Sequence, residues 1–246
     1  QSYLVSGLNF VLPEKGNLVY QYEKLDFSDS FSGNRHILNA SFNLTDWTIQ
    51  SRGSFLKSDA ANSTSKFLRN QSQIKYHFKK NWIGTSLRLE DNQEKNKVTN
   101  QFSALSQRFL EYGFFAGRGD STKVFVELGY FKRTNDSLQN GIIQRVNKSQ
   151  TFALHSKLIQ TKKSDLTLFA NYRVLDFVDA SKKNEPSLNS RMVYNDRFFN
   201  QLIQSTTVFE TNSGSIPQQE FTYLEVPVGQ GVYTWNDYNG NGIQEL

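Results

Sequence analysis

The sequence contains no cysteine, which excludes disulfide bonds, thiolate metal sites and thiol catalysis. Only 4 prolines occur in 246 residues, so few positions would interrupt a long hydrogen-bonded strand. No stretch approaches the roughly 18 consecutive apolar residues of a transmembrane helix, and the mean hydropathy is −0.58. These features exclude a helical membrane protein. They do not exclude a membrane sheet, in which only every second residue needs to face lipid.

Aromatic residues make up 14% of the chain, with 20 Phe and 11 Tyr, and such side chains fit pleated, half-buried strands. The net charge of +5 is spread along the chain in lysine pairs such as Lys79-Lys80 and Lys162-Lys163, which fall at predicted turns. Nucleic-acid binding requires a concentrated basic face with stacking aromatics. We therefore expect no nucleic-acid partner.

Alternation of apolar and polar residues is the main structural signal. Leu87 and Leu110 belong to apolar rows, and their neighbours Arg88 and Glu111 belong to polar rows. A one-sided antiparallel sheet and a barrel with a polar lumen both satisfy this pattern. Several predicted strands are longer than the usual 5–6 or so residues, which favours a membrane barrel. The residues expected to face lipid are Leu87, Leu110, Val126, Leu128, Leu168 and Tyr172, and those expected to face the lumen are Arg88, Glu111, Glu127 and Arg173.

From residue 35 to residue 178, short and long connections alternate along the chain. Long polar connections are predicted at residues 58–65, 90–101, 133–149 and 176–190. Membrane barrels have this asymmetry, because their tight turns face the periplasm and their long loops face the exterior. The predicted fold class is all-β, an antiparallel up-and-down meander of about ten to twelve long strands forming all or part of a transmembrane β-barrel. Asn70 and Ser72 interrupt one apolar row, so this part of the strand is expected either to face another part of the same protein or to extend beyond the bilayer.

Three regions are expected along the chain. Residues 1–34 contain one or more N-terminal strands and turns, with one strand near residues 18–25. Residues 35–210 form the meander of hairpins, and residues 211–246 contain a strand and an Asn/Gly-rich turn. The last residue falls inside a motif, which suggests a segment of a larger protein.

That motif has the spacing of a calcium-binding loop, with oxygen-bearing side chains at alternate positions and a glycine at the sixth. The alternative is an Asn/Gly-rich turn that binds nothing. Calcium is the one cofactor that the sequence suggests. Its candidate ligands are Asp237, Asn239, Asn241 and Glu245.

Other motifs do not indicate a reaction. Arg118-Gly119-Asp120 lies where two strands must reverse, and Gly-Asp favours a turn. His36, His77 and His155 fall on separate strands without metal-ligand spacing, and no Gly-x-Ser-x-Gly nucleophile motif is present. We therefore do not expect an enzyme.

The segment of residues 221–242, which contains the run Gly229-Gln230-Gly231-Val232-Tyr233-Thr234-Trp235, resembles a stretch of large, mostly uncharacterised β-rich cell-envelope proteins of Bacteroidota. The resemblance is strongest over residues 221–245. It implies a cell-envelope protein longer than this chain, and it implies no reaction and no catalytic residues.

Two functional hypotheses follow. The first is an integral outer-membrane β-barrel protein of a Gram-negative envelope, or a segment of one, with a role in transport, secretion or envelope assembly. Its partners would be outer-membrane lipid and other envelope proteins or further parts of the same chain. The second is a soluble cell-surface or periplasmic β-sheet protein for binding or adhesion, with a calcium-binding turn.

Overall fold

A computed structural model of the chain describes residues 2–27, 30–120 and 122–213, which form one antiparallel sheet. Each strand pairs with its neighbours in chain order, so the predicted all-β meander is confirmed. Within the described ranges, β1 and β12 each have one paired neighbour, and the sheet is not closed. The strands are β1 (Ser2–Leu12), β2 (Gly16–Phe27), β3 (Phe31–Asn43), β4 (Trp47–Ala60), β5 (Ser63–Phe78), β6 (Asn81–Asn96), β7 (Gln107–Gly119), β8 (Phe125–Gln139), β9 (Ile142–Gln160), β10 (Ser164–Phe177), β11 (Glu185–Phe198) and β12 (Ile203–Asn212).

No helix in the described part of the chain is long and apolar enough to cross a membrane.

Two of the predicted long loops are wrong, because the strands continue through them. Residues 58–65 belong to β4 and β5 apart from a two-residue turn, and residues 133–149 belong to β8 and β9 apart from Asn140-Gly141. Both residues of that turn have positive φ, 52° and 80°, as the tight turns that match strand twist require. Residues 97–106 and 178–184 are the longer connections, shorter than predicted. The N-terminal region also holds β1 besides the one strand expected there.

The pairing register separates the side chains into two faces. The apolar face carries Leu87, which pairs with Tyr112, and Leu128, which pairs with Leu154. The polar face carries Arg88, which pairs with Glu111. The apolar face remains uncovered by the described residues, since Leu128 is 61% exposed and Phe114 is 60% exposed. Such an extensive apolar surface needs an apolar surrounding or a covering partner.

Successive strands are staggered in one direction. A row of directly paired residues runs from Leu12 in β1 to Leu188 in β11. Leu12 is the last residue of β1, at the end where β1 and β2 are joined, which we call the turn end. Leu188 lies ten residues before Phe198, the turn end of β11. With strand dimensions of about 3.4 Å per residue and 4.8 Å between strands, this stagger means that the strands are tilted by roughly 35° from the perpendicular to the line of turn ends.

Charged residues limit the apolar face along the strands. Arg118 and Asp196 flank it one and two residues from the turn ends of β7 and β11. On the other side, Lys132 and Lys24 lie seven and eight residues from the turn ends of β8 and β2, and Lys57 and Asp91 lie ten residues from those of β4 and β6. At a tilt of roughly 35° the uncharged part between these limits is roughly 15–25 Å tall, depending on the strand. We call it the apolar band.

Asn70 and Ser72 lie in the apolar band, and the side-chain oxygens of both are hydrogen-bonded within the sheet. The Ser72 hydroxyl donates to Asn70 Oδ1 at 2.9 Å, and the hydroxyls of Ser72 and Ser51 are 2.8 Å apart. A polar group that already has a hydrogen-bond partner costs much less to remove from water than one without. These contacts lower the cost of placing the two side-chain oxygens on the apolar face.

Asp136 organises the strands beyond the apolar band. Its side chain is 6% exposed and accepts hydrogen bonds from Arg108, the shorter of them 2.6 Å, and from Arg145. Burial by itself would raise the pKa of this carboxyl group, but the hydrogen bonds from Arg145 and Arg108 outweigh burial and lower the pKa below its usual 3.8. The ion-paired form thus ties β7, β8 and β9 together.

We expect this carboxylate to make the stability of the sheet pH-dependent. Because the folded pKa of Asp136 lies below the unfolded one, its stabilisation is complete above the unfolded pKa near 3.8 and disappears as the pH falls through the folded pKa. Urea unfolding of the native chain and of an Asp136→Asn variant at pH 7, 4 and 3 measures the effect. The difference between the two should shrink as the pH falls, and a constant difference would contradict this role.

Candidate functional site on the polar face

The residues predicted to face lipid and lumen separate onto the two faces of the sheet. The four charged residues of the prediction share the polar face, where Glu127 pairs with His155 and Arg173 with Thr151. The six apolar residues share the apolar face, and five of them are exposed. Leu168 is half-buried, and its backbone oxygen accepts a hydrogen bond from the fully buried Ser156 at 3.2 Å.

The buried hydrophobic residues lie on the polar face. Trp82, Phe115 and Phe125 are 6%, 6% and 7% exposed, and they form the hydrophobic cluster of the described residues. The ring centroids of Trp82 and Phe125 are 6.3 Å apart, and Phe125 meets the His155 ring edge-on at 5.0 Å. We call Trp82, Phe115 and Phe125 the aromatic cluster. It fixes the side chains near the turn ends of β6, β7 and β8.

Glycines on neighbouring strands make room for these rings. Gly117 pairs with Trp82, and a Cβ atom at Gly117 would lie 2.2 Å from the indole ring. A Cβ atom at Gly84 would lie 2.2 Å from the ring of Phe115. Each ring therefore lies flat across its partner strand, a contact that only a residue without a side chain permits.

A charged pair is anchored to the aromatic cluster. The indole N–H of Trp82 donates to Glu127 Oε2 at 2.5 Å, and Lys75 Nζ lies 3.7 Å from the same oxygen. The Lys75 ammonium group also lies over the rings of Trp82 and Phe115, at 5.5 and 5.4 Å from their centroids. These contacts hold the half-buried ammonium group in place, because carboxylate and ring faces both attract a cation.

A small polar hollow lies beside Lys75. Its volume is about 240 Å³. The other groups around it are neutral hydrogen-bonding side chains and an imidazole, and Thr48 Oγ1 is 3.5 Å from His77 Nε2. The hollow can therefore accept a hydrated polar or anionic group. Its lining residues are Thr48, Gln50, Gln73, Lys75 and His77.

Further from the turn ends, ion pairs cross the polar face from strand to strand. Arg88 Nη1 lies 3.2 Å from Glu111 Oε1, and Arg133 lies 3.9 Å from the other oxygen of Glu111. Arg69 pairs with Glu90 at 2.9 Å. The arginine side chains remain one-third to three-fifths exposed, so each pair contributes little to stability. Their effect is to set the position and sign of charge on this face.

The remaining predicted motifs have separate outcomes. The calcium candidates Asp237, Asn239, Asn241 and Glu245, and the segment that carries the family resemblance, lie outside the described residues. Within those residues no group of three or more histidine, aspartate or glutamate side chains could hold a metal ion. Arg118-Gly119-Asp120 forms the predicted strand reversal, with φ of 119° at Gly119 and the Lys123 N–H donating to the Asp120 carbonyl oxygen.

Sequence reasoning missed the aromatic cluster and its two histidines. Trp82 and Phe115 fall in the polar rows of their strands, so a search for apolar rows passes over them. His77 and His155 are 78 positions apart in the sequence, yet both contact the cluster. The available signal was the combination of an aromatic residue in a polar row with glycine in the polar row of a neighbouring strand.

No protein-family model matches the sequence, and no curated protein matches it.

Proposed function

We propose that this chain forms part of the wall of an outer-membrane β-barrel, with the apolar face toward lipid and the polar face toward a water-filled interior. The observation that carries this proposal is the apolar face, which residues 2–213, as far as they are described, leave uncovered. Leu128 and Phe114 are more than half exposed, although their neighbours across the strands are also apolar. A bilayer provides the surrounding that such a surface needs.

Two dimensions of the sheet support the proposal. The tilt of roughly 35° derived from the stagger equals that of strands in closed barrels, about 35–45°. At its tallest, roughly 25 Å, the apolar band reaches the height of the lipid-facing band of outer-membrane barrels, about 25 Å. A sheet that covers a soluble core has no reason to combine these two values.

The charges on the polar face give further support. Arg88 and Glu111 lie seven and eight residues from their turn ends, one residue further along the strands than the apolar residues Leu87 and Tyr112 on the other face. Charged groups at the depth of a bilayer must face water or a protein interior. A barrel wall meets both demands, because its outer residues contact lipid and its inner residues contact solvent.

The proposed roles and partners follow from this arrangement. No described strand pairs with the outer edges of β1 and β12, and in lipid these edges must be paired, either with each other or with additional strands. Because the described meander has an even number of strands, β1 and β12 run in opposite directions, and their edges could pair directly as antiparallel strands. The role remains that of a transport, secretion or envelope-assembly component, with outer-membrane lipid and envelope proteins as partners.

Detergent and lipid dependence test this function. We expect the full chain, refolded in detergent, to remain monodisperse only while detergent is present. After detergent removal in the presence of liposomes it should float with them and resist extraction at alkaline pH. The full chain denatured in urea and mixed with preformed liposomes controls for passive adsorption.

A chain that is monodisperse without detergent, and that stays in the dense fraction after mixing with liposomes, would overturn the proposal. That result would favour a soluble cell-surface or periplasmic binding protein, in which another protein element covers the apolar face.

A further inference from the structure

Seven arginines on the polar face lie at nearly the same level of the sheet. Arg52, for example, lies five residues beyond the turn end of β4 at Trp47, and Arg69 lies nine residues before the turn end of β5 at Phe78. The other five also lie between five and nine residues from the turn ends, and no strand carries more than one of the seven. We call this set the arginine belt; its members are Arg35, Arg52, Arg69, Arg88, Arg133, Arg173 and Arg191.

At the level of the arginine belt, the polar face carries more positive than negative charge. At the same level the polar face carries four carboxylates, Glu23, Glu90, Glu111 and Glu210. Each lies within ion-pair distance of a belt arginine, from 2.9 to 3.9 Å, and Glu111 serves both Arg88 and Arg133. Four carboxylates thus pair with five arginines, and in the described part of the chain Arg52 and Arg173 make no ion pair.

The surroundings of these two arginines are suited to an anion. Arg52 is exposed, and its direct cross-strand neighbours are Asn39 and Gln71. Arg173 is exposed between the hydroxyl residues Thr151 and Ser187. A guanidinium group offers a planar set of N–H donors that fits two oxygens of a phosphate or carboxylate. Neighbouring amide and hydroxyl groups can donate to the remaining oxygens.

We infer that the arginine belt binds small dissolved anions that carry phosphate or carboxylate groups, with Arg52 and Arg173 as its two open positions. This inference rests on the proposed barrel, in which the belt faces the aqueous interior. Belts of arginine or lysine favour anions in membrane pores, because they replace part of the ion's hydration and attract its charge. The compensated pairs limit the net charge, so a bound anion can also leave.

Calorimetric titration of the full chain in neutral detergent with inorganic phosphate at low ionic strength tests the inference. The native chain should bind phosphate, and the Arg52→Gln/Arg173→Gln double variant should bind at least about fivefold more weakly, since each lost charged hydrogen bond contributes strongly. The matched control is Lys57→Gln/Lys66→Gln, which removes two positive charges from the other face. It should bind phosphate as the native chain does.

Reversal potentials across planar bilayers under a KCl gradient give a second measurement. The native chain should favour chloride over potassium, and the arginine double variant should lose part of that preference. Absence of phosphate binding by the native chain, or equal weakening in both double variants, would overturn the inference. Liposome flotation of the same samples distinguishes this failure from failure of the proposed function, because a chain that floats but does not bind phosphate retains the barrel without the anion site.

Discussion

A Leu87→Arg substitution should destabilise the membrane-inserted chain by about 2–4 kcal/mol, the cost of an arginine on the lipid face near the bilayer midplane. Leu87 is 40% exposed on the apolar face and lies six residues from the turn end of β6, in the middle of the apolar band. Urea-dependent unfolding in liposomes, followed by the gel mobility of folded and unfolded forms, measures the change.

Two control variants make this result specific for depth and face. Val126→Arg lies on the same face but one residue from the turn end of β8, at the edge of the apolar band, so its cost should be about 0–1 kcal/mol. Ser86→Arg lies next to Leu87 on the polar face and should also cost little. Equal destabilisation by all three substitutions, or by none, would contradict a lipid-facing apolar band.

A Trp82→Ala substitution should cost about 3–5 kcal/mol, the range for removing a buried tryptophan or phenylalanine. Trp82 is 6% exposed, packs with Phe125, and its indole N–H donates to Glu127. Its removal leaves a cavity in the aromatic cluster and takes away one contact of the carboxylate. The same urea experiment in liposomes measures the loss.

Two further variants separate the packing of the Trp82 ring from its hydrogen bond to Glu127. Trp82→Phe keeps most of the ring and removes the N–H donor, so it should cost clearly less than Trp82→Ala. Gly117→Ala should destabilise the native chain, because its Cβ atom would lie 2.2 Å from the indole ring. In the Trp82→Ala background that penalty should disappear, and additive costs of the two changes would argue against direct packing.

Much of the sheet could be predicted from the alternation of residues within single strands. Leu87 and Arg88 are neighbours with opposite polarity, and a period of two is sufficient to put them on opposite faces. The meander also follows, because short connections join adjacent antiparallel strands. The dipeptide Asn140-Gly141 was a direct signal for the tight turn between β8 and β9, and the polar residues around it obscured that signal.

The properties that join strands could not be predicted, since they depend on register. The packing of Trp82 on Gly117 requires the exact pairing of β6 with β7, and neither strand alone indicates it. The same holds for Asp136, whose partners Arg108 and Arg145 come from two other strands. The common level of the arginine belt appears only when positions are counted from the turn ends, which requires the strand bounds.

The continuation of β8 and β9 beyond the apolar band determines how easily proteases could cleave the chain at this end of the sheet. Lys132 lies seven residues before the end of β8, so a paired ribbon extends past the charged limit of the band up to Asn140-Gly141. Proteases cleave segments that open from their hydrogen-bonded neighbours, and the rate then follows the population of the open form. Cleavage at this tip should therefore depend on local unpairing of the ribbon, where a free loop of equal length would be cut without it.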